Sequence, residues 1–279
     1  MAKSPLPQGG YSVFHETMAD MTAPEIERAA KGGAVALWAL GVIEQHGPHL
    51  PLATDVYVPQ ATLRAARRIL ASETIESVIV PPFYWGVNHV TGRFPGSIEV
   101  RPEVMVELMA DVLASLAKDG FARAFCLSGH GDRLHNRTIL EGVRAGCARA
   151  AIDARMVGSP EAAVRFGFDA GDPRLALTEA TNAPPPRYPD VHAGDWETSL
   201  VWALYPRIVR TRIVPKLTPS RLGPEDLAEW RKGQEHARRI TPDGYFGDPA
   251  AASPDKGAAL LAAEAARVAQ AIARTIAAA

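Results

Sequence analysis

The chain is poor in cysteine: two residues in 279, Cys126 and Cys147. Two are too few for a disulfide framework, and Cys126 lies in an apolar run, so both read as reduced residues packed like small hydrophobes. Long hydrophobic runs are missing as well. No uninterrupted apolar stretch reaches the roughly 18–20 residues that span a bilayer, and the opening MAKSPLPQGGYSVFHE lacks the apolar middle of a signal peptide. A cytoplasmic protein with no membrane partner is expected. An excess of charge of one sign is absent too. Lys and Arg number 30 against 31 Asp and Glu, and the basic residues are scattered, which argues against a nucleic-acid partner. No internal repeat is found. What is present is ordinary globular composition, 47% hydrophobic and 22% charged, in a chain long enough for one large domain over 1–279.

Short apolar runs alternate with amphipathic segments through the first 160 residues. Strands are predicted at 34–43, 76–83, 121–129 and 153–157. Helices are predicted at about 56–72, from Pro102 to Gly120, and at about 134–150. That alternation is the signature of a parallel sheet with helices on its faces. Four prolines in TNAPPPRYPDVHAGD (181–195) exclude regular structure there, and the segment reads as a fixed loop or a lid. A helix follows from near Gly194 to Pro206, and a polar helix near 224–239 precedes the Ala-rich closing helix at about 256–279. The closing helix is apolar nearly all round, as it would be if packed on the domain or on a neighbouring subunit. The span 207–223 has no readable period.

In an open parallel sheet, ligands bind beyond the carboxyl ends of the strands. Glu44, Gln45 and His46 follow the first strand at once, with Asp55 at the start of the next helix, and His130, Asp132 and His135 follow the third. Glu44 and His46 are two apart, as are His130 and Asp132, so each pair can point the same way from extended chain. Carboxylate and imidazole ligands without thiolate suit zinc, manganese or iron. Five such groups exceed what one catalytic zinc takes from protein, and Asp55, with two oxygens, would bridge two ions. Taken singly, His49, His89 and His135 read as loop or capping residues, and Asp132 reads equally as the N-cap of the helix beginning near Leu134. The glycine and prolines of GVIEQHGPHLPLATD would bend the chain so that Asp55 returns to the same centre.

These residues carry a resemblance. EQHGPHLPLATD resembles the signature of the creatininase, or creatinine amidohydrolase, family, and FPGS (94–97), GHGD (129–132) and HAGDWETS (192–199) follow in the family's order. The resemblance implies a three-layer αβα fold and a homo-oligomer, a hexamer if like creatininase. It also implies two divalent ions, zinc or manganese or iron. It assigns Glu44, Asp55 and His130 to one ion, His46, Asp55 and Asp132 to the other, and proton transfer to His192. Asp132 stands where creatininase has a Glu, and Ser128 and Asn136 depart from the family's Asn positions. The implied reaction is hydrolysis of a non-peptide C–N bond in a small cyclic amide or lactam by a metal-bridging hydroxide. A formamide hydrolase or a peptide-trimming hydrolase is the alternative within the family. A binding protein without catalysis is the alternative outside it.

Glu197, three residues past Gly194, would either satisfy helix-start N–H groups or support the catalytic His192. Trp85, Trp196, Tyr84 and Phe94 are candidates for a pocket wall, together with Ser97, although such aromatics are core packing at least as often. Arg93, Arg133 and Arg187 flank the motifs. Any of them facing the site would favour a carboxylate or phosphate on the substrate.

Overall fold

A strand with no polar residue has no face to give to water. β1 (Val35–Leu40) is such a strand, buried along its whole length. Its alternate residues therefore serve two cores. The computed structural model describes residues 14–181 and 188–278. β1 pairs in parallel with β2 (Ser77–Phe83) on one side and β3 (Arg123–Ser128) on the other, and β4 (Asp153–Gly158) and β5 (Leu175–Leu177) complete a parallel sheet of order β2-β1-β3-β4-β5.

Ala36, Trp38 and Leu40 share one core with Cys126 and with side chains of α1 (Ala23–Lys31), α3 (Pro102–Lys118) and α4 (Arg133–Arg149). Val35, Leu37 and Ala39 share the opposite core with α2 (Thr54–Ser72) and the closing helix α9 (Pro254–Ala277). Each fully buried Leu, Ile or Phe in these layers contributes about 1.5–3 kcal/mol. The result is the expected three-layer αβα arrangement. Cys126 is buried and Cys147 half-buried, both unpaired, and burial pushes the Cys126 thiol up to about 12. Among the described residues no helix is long and apolar enough to cross a membrane.

The remaining elements are α5 (Pro160–Phe166), α6 (Asp195–Leu204), α7 (Pro224–Trp230) and α8 (Glu235–Ile240). The single helix expected near 224–239 is thus two. The break falls at Gly233 and Gln234, with φ of +74° and +57°. Gln234 gives up helical geometry to donate its backbone N–H to the Val90 carbonyl at 3.0 Å and its side-chain amide to the His89 carbonyl at 2.8 Å. The span 207–223 contains one short 3₁₀ turn, Val214–Lys216. The short α1, α5 and β5 offer too few residues for a period to show. Arg187 and most of the proline-rich run, 182–187, lie outside the described residues.

The topology fixes where a site can form. β1 runs on to α2 on one face, while its neighbour β3 runs on to α4 on the other, so their carboxyl ends part at a switch point. Gly41 and Gly129 lie just past these two ends and let the first turn of α2 come close. A Cβ on Gly41 would sit 2.2 Å from the Asp55 carbonyl oxygen, and one on Gly129 would sit 2.1 Å from it. Pro59, four residues further along α2, has no N–H to compete for that carbonyl.

This packing generates a prediction. Gly129→Ala should cost about 1–3 kcal/mol by overpacking, while Gly131→Ala, with nothing within 4 Å of its Cβ, should change stability by less than about 0.5 kcal/mol. Urea unfolding of the two variants checks it, and equal effects would refute the close-approach account.

Candidate metal centre

The site is assembled from four chain segments. Past β1, the Glu44 N–H donates to the Leu52 carbonyl at 3.0 Å, closing a loop whose turn uses Gly47 at φ +64°. That closure returns the chain to Asp55 in the first turn of α2, where the helix dipole favours a carboxylate. Past β3, Asn136 donates to the carbonyls of His130 and Asp132, each at 2.7 Å, fixing the GHGD turn. From the fourth segment, His192 pairs with Phe246 through backbone bonds of 2.7 and 3.2 Å, and Glu197 follows in the first turn of α6.

Glu44, His46, Asp55, His130 and His192 are all buried. Asp55 lies between two imidazoles, with Oδ1 3.0 Å from His46 Nε2 and Oδ2 2.8 Å from His130 Nδ1. Glu44 Oε1 lies 3.2 Å from His130 Nδ1, 3.5 Å from His192 Nδ1 and 3.8 Å from His46 Nε2. Glu197 Oε2 comes within 3.7 Å of His46 Nε2. Three overlapping groups have their donor atoms within 4.8 Å of one another: Glu44–Asp55–His130, Glu44–His46–His192 and His46–Asp55–Glu197. Glu44, His46 and Asp55 each belong to two of the groups.

The electrostatics follow from crowding. Burial alone would push the His46 imidazole down, but Asp55, with Glu197 and Glu44, outweighs it and holds the group at about 10. Burial works against His130 in the same way, and Glu44 and Asp55 hold it well above the ordinary value. The reverse balance acts on Asp55, which burial would raise and the two imidazoles keep far below the carboxylate range. Burial, with Asp55 and Asp190, raises Glu197 to about 8 against the pull of His46. His192 moves the other way. Burial and the neighbouring His46 charge lower it to about 4.

The residues fit a divalent ion. Among the described residues, buried Glu44 Oε1 and Asp55 Oδ2 have only imidazole nitrogens as polar neighbours, and both point into the cluster. Carboxylate oxygens and imidazole nitrogens are the donors that zinc, manganese and iron accept. The supporting hydrogen bonds also suit ligands. The Glu44 oxygen turned away from the cluster accepts from the Thr91 hydroxyl. His192 Nε2 lies 2.8 Å from the Gln45 carbonyl, which can only accept, and 3.1 Å from the Gln45 side-chain amide nitrogen; the shorter contact favours a proton on Nε2, with Nδ1 presenting its lone pair to the cluster. Gln45 is held in turn by Ser97, whose hydroxyl accepts its N–H at 3.1 Å.

Several residues stand elsewhere than the sequence reading puts them. Asp132 is the N-cap of α4: Oδ1 accepts from the Leu134 N–H at 2.7 Å, and Oδ2 accepts from His89 and Val90 at 2.8 and 3.0 Å. With three backbone donors it belongs to none of the metal-capable groups, and its nearest approach to an imidazole is 4.0 Å, to His130 Nε2. Glu197 is inside the cluster and also accepts the Ala193 N–H, so it performs the helix-start role as well. Ser97 positions Gln45 rather than lining the cavity, and Trp85 stacks on Tyr84 outside it, 44% exposed. Phe94 is core, packed with Trp230 and Phe246.

Trp196 and Arg133 do line the cavity, whose volume is about 900 Å³ and whose walls include His130, Asp132, His192 and Glu197. His49 bonds the Thr198 hydroxyl at 2.8 Å outside the cluster. Thr91 and Gln45 escape sequence reasoning, since one loop Thr and one Gln carry no periodic signal. His135, edge-on against His130 at 5.2 Å, is buried, and burial together with the His130 charge lowers it to about 3.

A three-layer αβα protein that gathers carboxylates and imidazoles at the switch point of its sheet has the build of a metal-dependent hydrolase. Comparison with known proteins narrows this. The family model for creatininase, described as creatinine amidohydrolase, matches residues 19–272, and the chain belongs to that family. It is 26% identical to the creatinine amidohydrolase of Pseudomonas putida over 266 residues, 90% of this chain and 92% of that one. It is 29% identical to a mycofactocin precursor peptide peptidase of Mycobacterium tuberculosis over 229 residues, 80% of this chain and 78% of that one. A crystal structure of creatininase superposes with a TM-score of 0.69 at 20% identity, covering 93% of this chain and 97% of the other. A zinc–zinc form of a creatininase variant and a manganese form give 0.67 and 0.66, at 22% and 20% identity over 92% of this chain and 96% and 97% of theirs.

Two predictions arise from the centre. Asp55→Asn should purify without zinc or manganese. Asp132→Ala should keep its metal and lose about 0.5–2 kcal/mol of stability as a lost helix cap. Elemental analysis beside thermal unfolding separates the two, and metal loss in Asp132→Ala equal to that in Asp55→Asn would make Asp132 a ligand. The second concerns pH. His46 and His130 hold raised pKa values, so both are protonated at neutral pH, and a metal has to displace those protons. Affinity should therefore rise with pH through the neutral range, with proton release visible by calorimetry in buffers of different ionisation enthalpy. Affinity flat with pH would contradict this charge balance.

Proposed function

We propose that this protein is a metal-dependent amidohydrolase that cleaves a C–N bond in a small cyclic amide or lactam, using a centre of two divalent ions, zinc or manganese. The observation that carries the reading is the sharing of Glu44, His46 and Asp55 among overlapping donor groups that adjoin a cavity walled by His130, His192 and Glu197. Shared carboxylates suit two adjacent ions better than one. Glu44, Asp55 and His130 would hold the first ion. His46, Asp55 and Glu197 would hold the second, with His192 at the edge of both. Bound there, the ions supply the Lewis acid that lowers the pKa of water and polarises an amide carbonyl.

The chain's own residues then have separate tasks. Thr91 orients Glu44 through the oxygen turned away from the cluster. The Gln45 carbonyl fixes the His192 ring, so that Nδ1 is the atom placed to receive a proton and pass it to the leaving nitrogen. Trp196, 40% exposed on the cavity wall, offers a flat surface to a ring-shaped substrate. A peptide-trimming reaction is the second reading. The cavity of about 900 Å³ favours it, since that is the upper range for a small-molecule pocket, and so does the similarity to a peptide peptidase.

Hydrolysis of a panel of lactams, formamides and short peptides, with added manganese or zinc, tests the assignment. Lactam turnover abolished by chelation is the expected result, and His192→Gln should lower kcat by roughly 10²–10⁴ with metal content unchanged. Turnover of peptides alone would select the second reading. A protein that keeps no divalent metal after mild dialysis and cleaves nothing in the panel would be a binding protein instead.

A further inference from the structure

The cavity beside the metal centre has a second chemical feature. Arg133, at the start of α4, Arg165, in the last turn of α5, and Arg231, just after α7, all line it. Two are built around one residue: Arg133 Nε donates to the Phe166 carbonyl at 3.2 Å, and the Arg165 guanidinium lies 4.7 Å from the centre of the Phe166 ring. Burial, and after it the charge of nearby Arg231, lowers the Arg165 pKa.

Among the described residues, none of the three forms an ion pair with a carboxylate. The acids lining the same cavity are otherwise engaged: Glu179 with Arg274 at 3.2 Å, Glu264 with Arg267, Asp190 with the Trp196 N–H at 2.7 Å, and Glu197 with the Ala193 N–H and His46. Asp132, next to Arg133, is occupied by backbone N–H groups. Arg133 is also a cation in the first turn of a helix that has no acidic residue there, where the helix dipole disfavours it. Gathered like charges without a counter-charge cost stability, and an anion seated among them removes that cost.

We infer that Arg133, Arg165 and Arg231 form an oxyanion subsite that holds a carboxylate or phosphate of the substrate while its amide faces the Glu44–His46–Asp55 centre. The inference rests on the amidohydrolase reading and narrows it from neutral cyclic amides to anionic ones. Guanidinium groups bind either oxyanion through paired N–H···O bonds. All three arginines keep exposed surface at the cavity, so replacing them leaves the core untouched.

The test measures binding apart from turnover. The metal-loaded protein is titrated by calorimetry with 5-oxoproline, a lactam carrying a carboxylate, and with phosphonoacetamide, an amide carrying a phosphate-like group. The neutral 5-oxoprolinamide is the reference. At least one acid should bind more tightly than the reference, with an advantage that shrinks as salt is raised. The R165Q/R231Q variant should lower that acid-to-amide affinity ratio by about tenfold or more, and the acid that responds identifies the oxyanion. No preference for either acid in the native protein, or an unchanged ratio in the variant, would overturn the subsite. Hydrolysis is assayed on the same samples. Charge-dependent binding without turnover of any amide would defeat the hydrolase reading and leave the subsite standing.

Discussion

Three carboxylates, Glu44, Asp55 and Glu197, converge on three imidazoles in a largely buried region beside the cavity, and the local structure is organised around balancing that charge. A buried carboxylate costs several kcal/mol unless cations and hydrogen bonds compensate it. Here the compensation at two oxygens comes from imidazoles alone: among the described residues Glu44 Oε1 and Asp55 Oδ2 face no other donor, and His46 and His130 are driven to hold protons in order to face them. Divalent cations would satisfy the same atoms and free the same protons. The donor groups therefore suit cations by charge as well as by distance.

The fold supplies this convergence through close approach. A carboxylate on the first turn of α2 reaches the centre only because two neighbouring strands end in glycine, leaving the Asp55 carbonyl within a Cβ's reach of each. The switch between β1 and β3 opens the space, and the glycines set how near the helix comes. The outer supports are of the same economical kind. Ser97 holds Gln45, Gln45 holds His192, and His192 pairs its backbone with Phe246, so the FPGS motif acts on the centre through two intermediates.

Much of this was legible because the candidate ligands sit where an open parallel sheet puts them, directly past apolar strands. Glu44, His46, Asp55 and His130, singled out by residue type and strand position, are brought together in the structure, and the αβα layers follow from the alternation of apolar runs. Three things were not legible. Asp is both a metal ligand and the favoured helix N-cap, so Asp132 could not be assigned until its three backbone donors were seen. Glu197 read either as satisfying helix-start N–H groups or as supporting His192; it accepts the Ala193 N–H just before the helix, and only tertiary folding shows that the same carboxylate also meets His46. The break between α7 and α8 depends on carbonyls of residues 89 and 90, more than 140 positions away, which no local pattern reports.

The positions of Asp132 and Glu197 are two sides of one constraint. Asp is one methylene shorter than the Glu that creatininase carries at the position of Asp132. With backbone N–H groups on both oxygens, that carboxylate is held at the head of α4 and cannot also advance toward His46. On the two-ion reading proposed above, a second ion would need a carboxylate from another direction, and α6 offers one, since Glu197 lies in the first turn and faces the cluster from beside His192. The second donor group is thereby tied to the segment that carries His192 rather than to the GHGD turn. Asp190, Val191, His192, Trp196 and Glu197 of that segment line the cavity, so in this chain the geometry of His46, Asp55 and Glu197 is tied to one wall of the cavity.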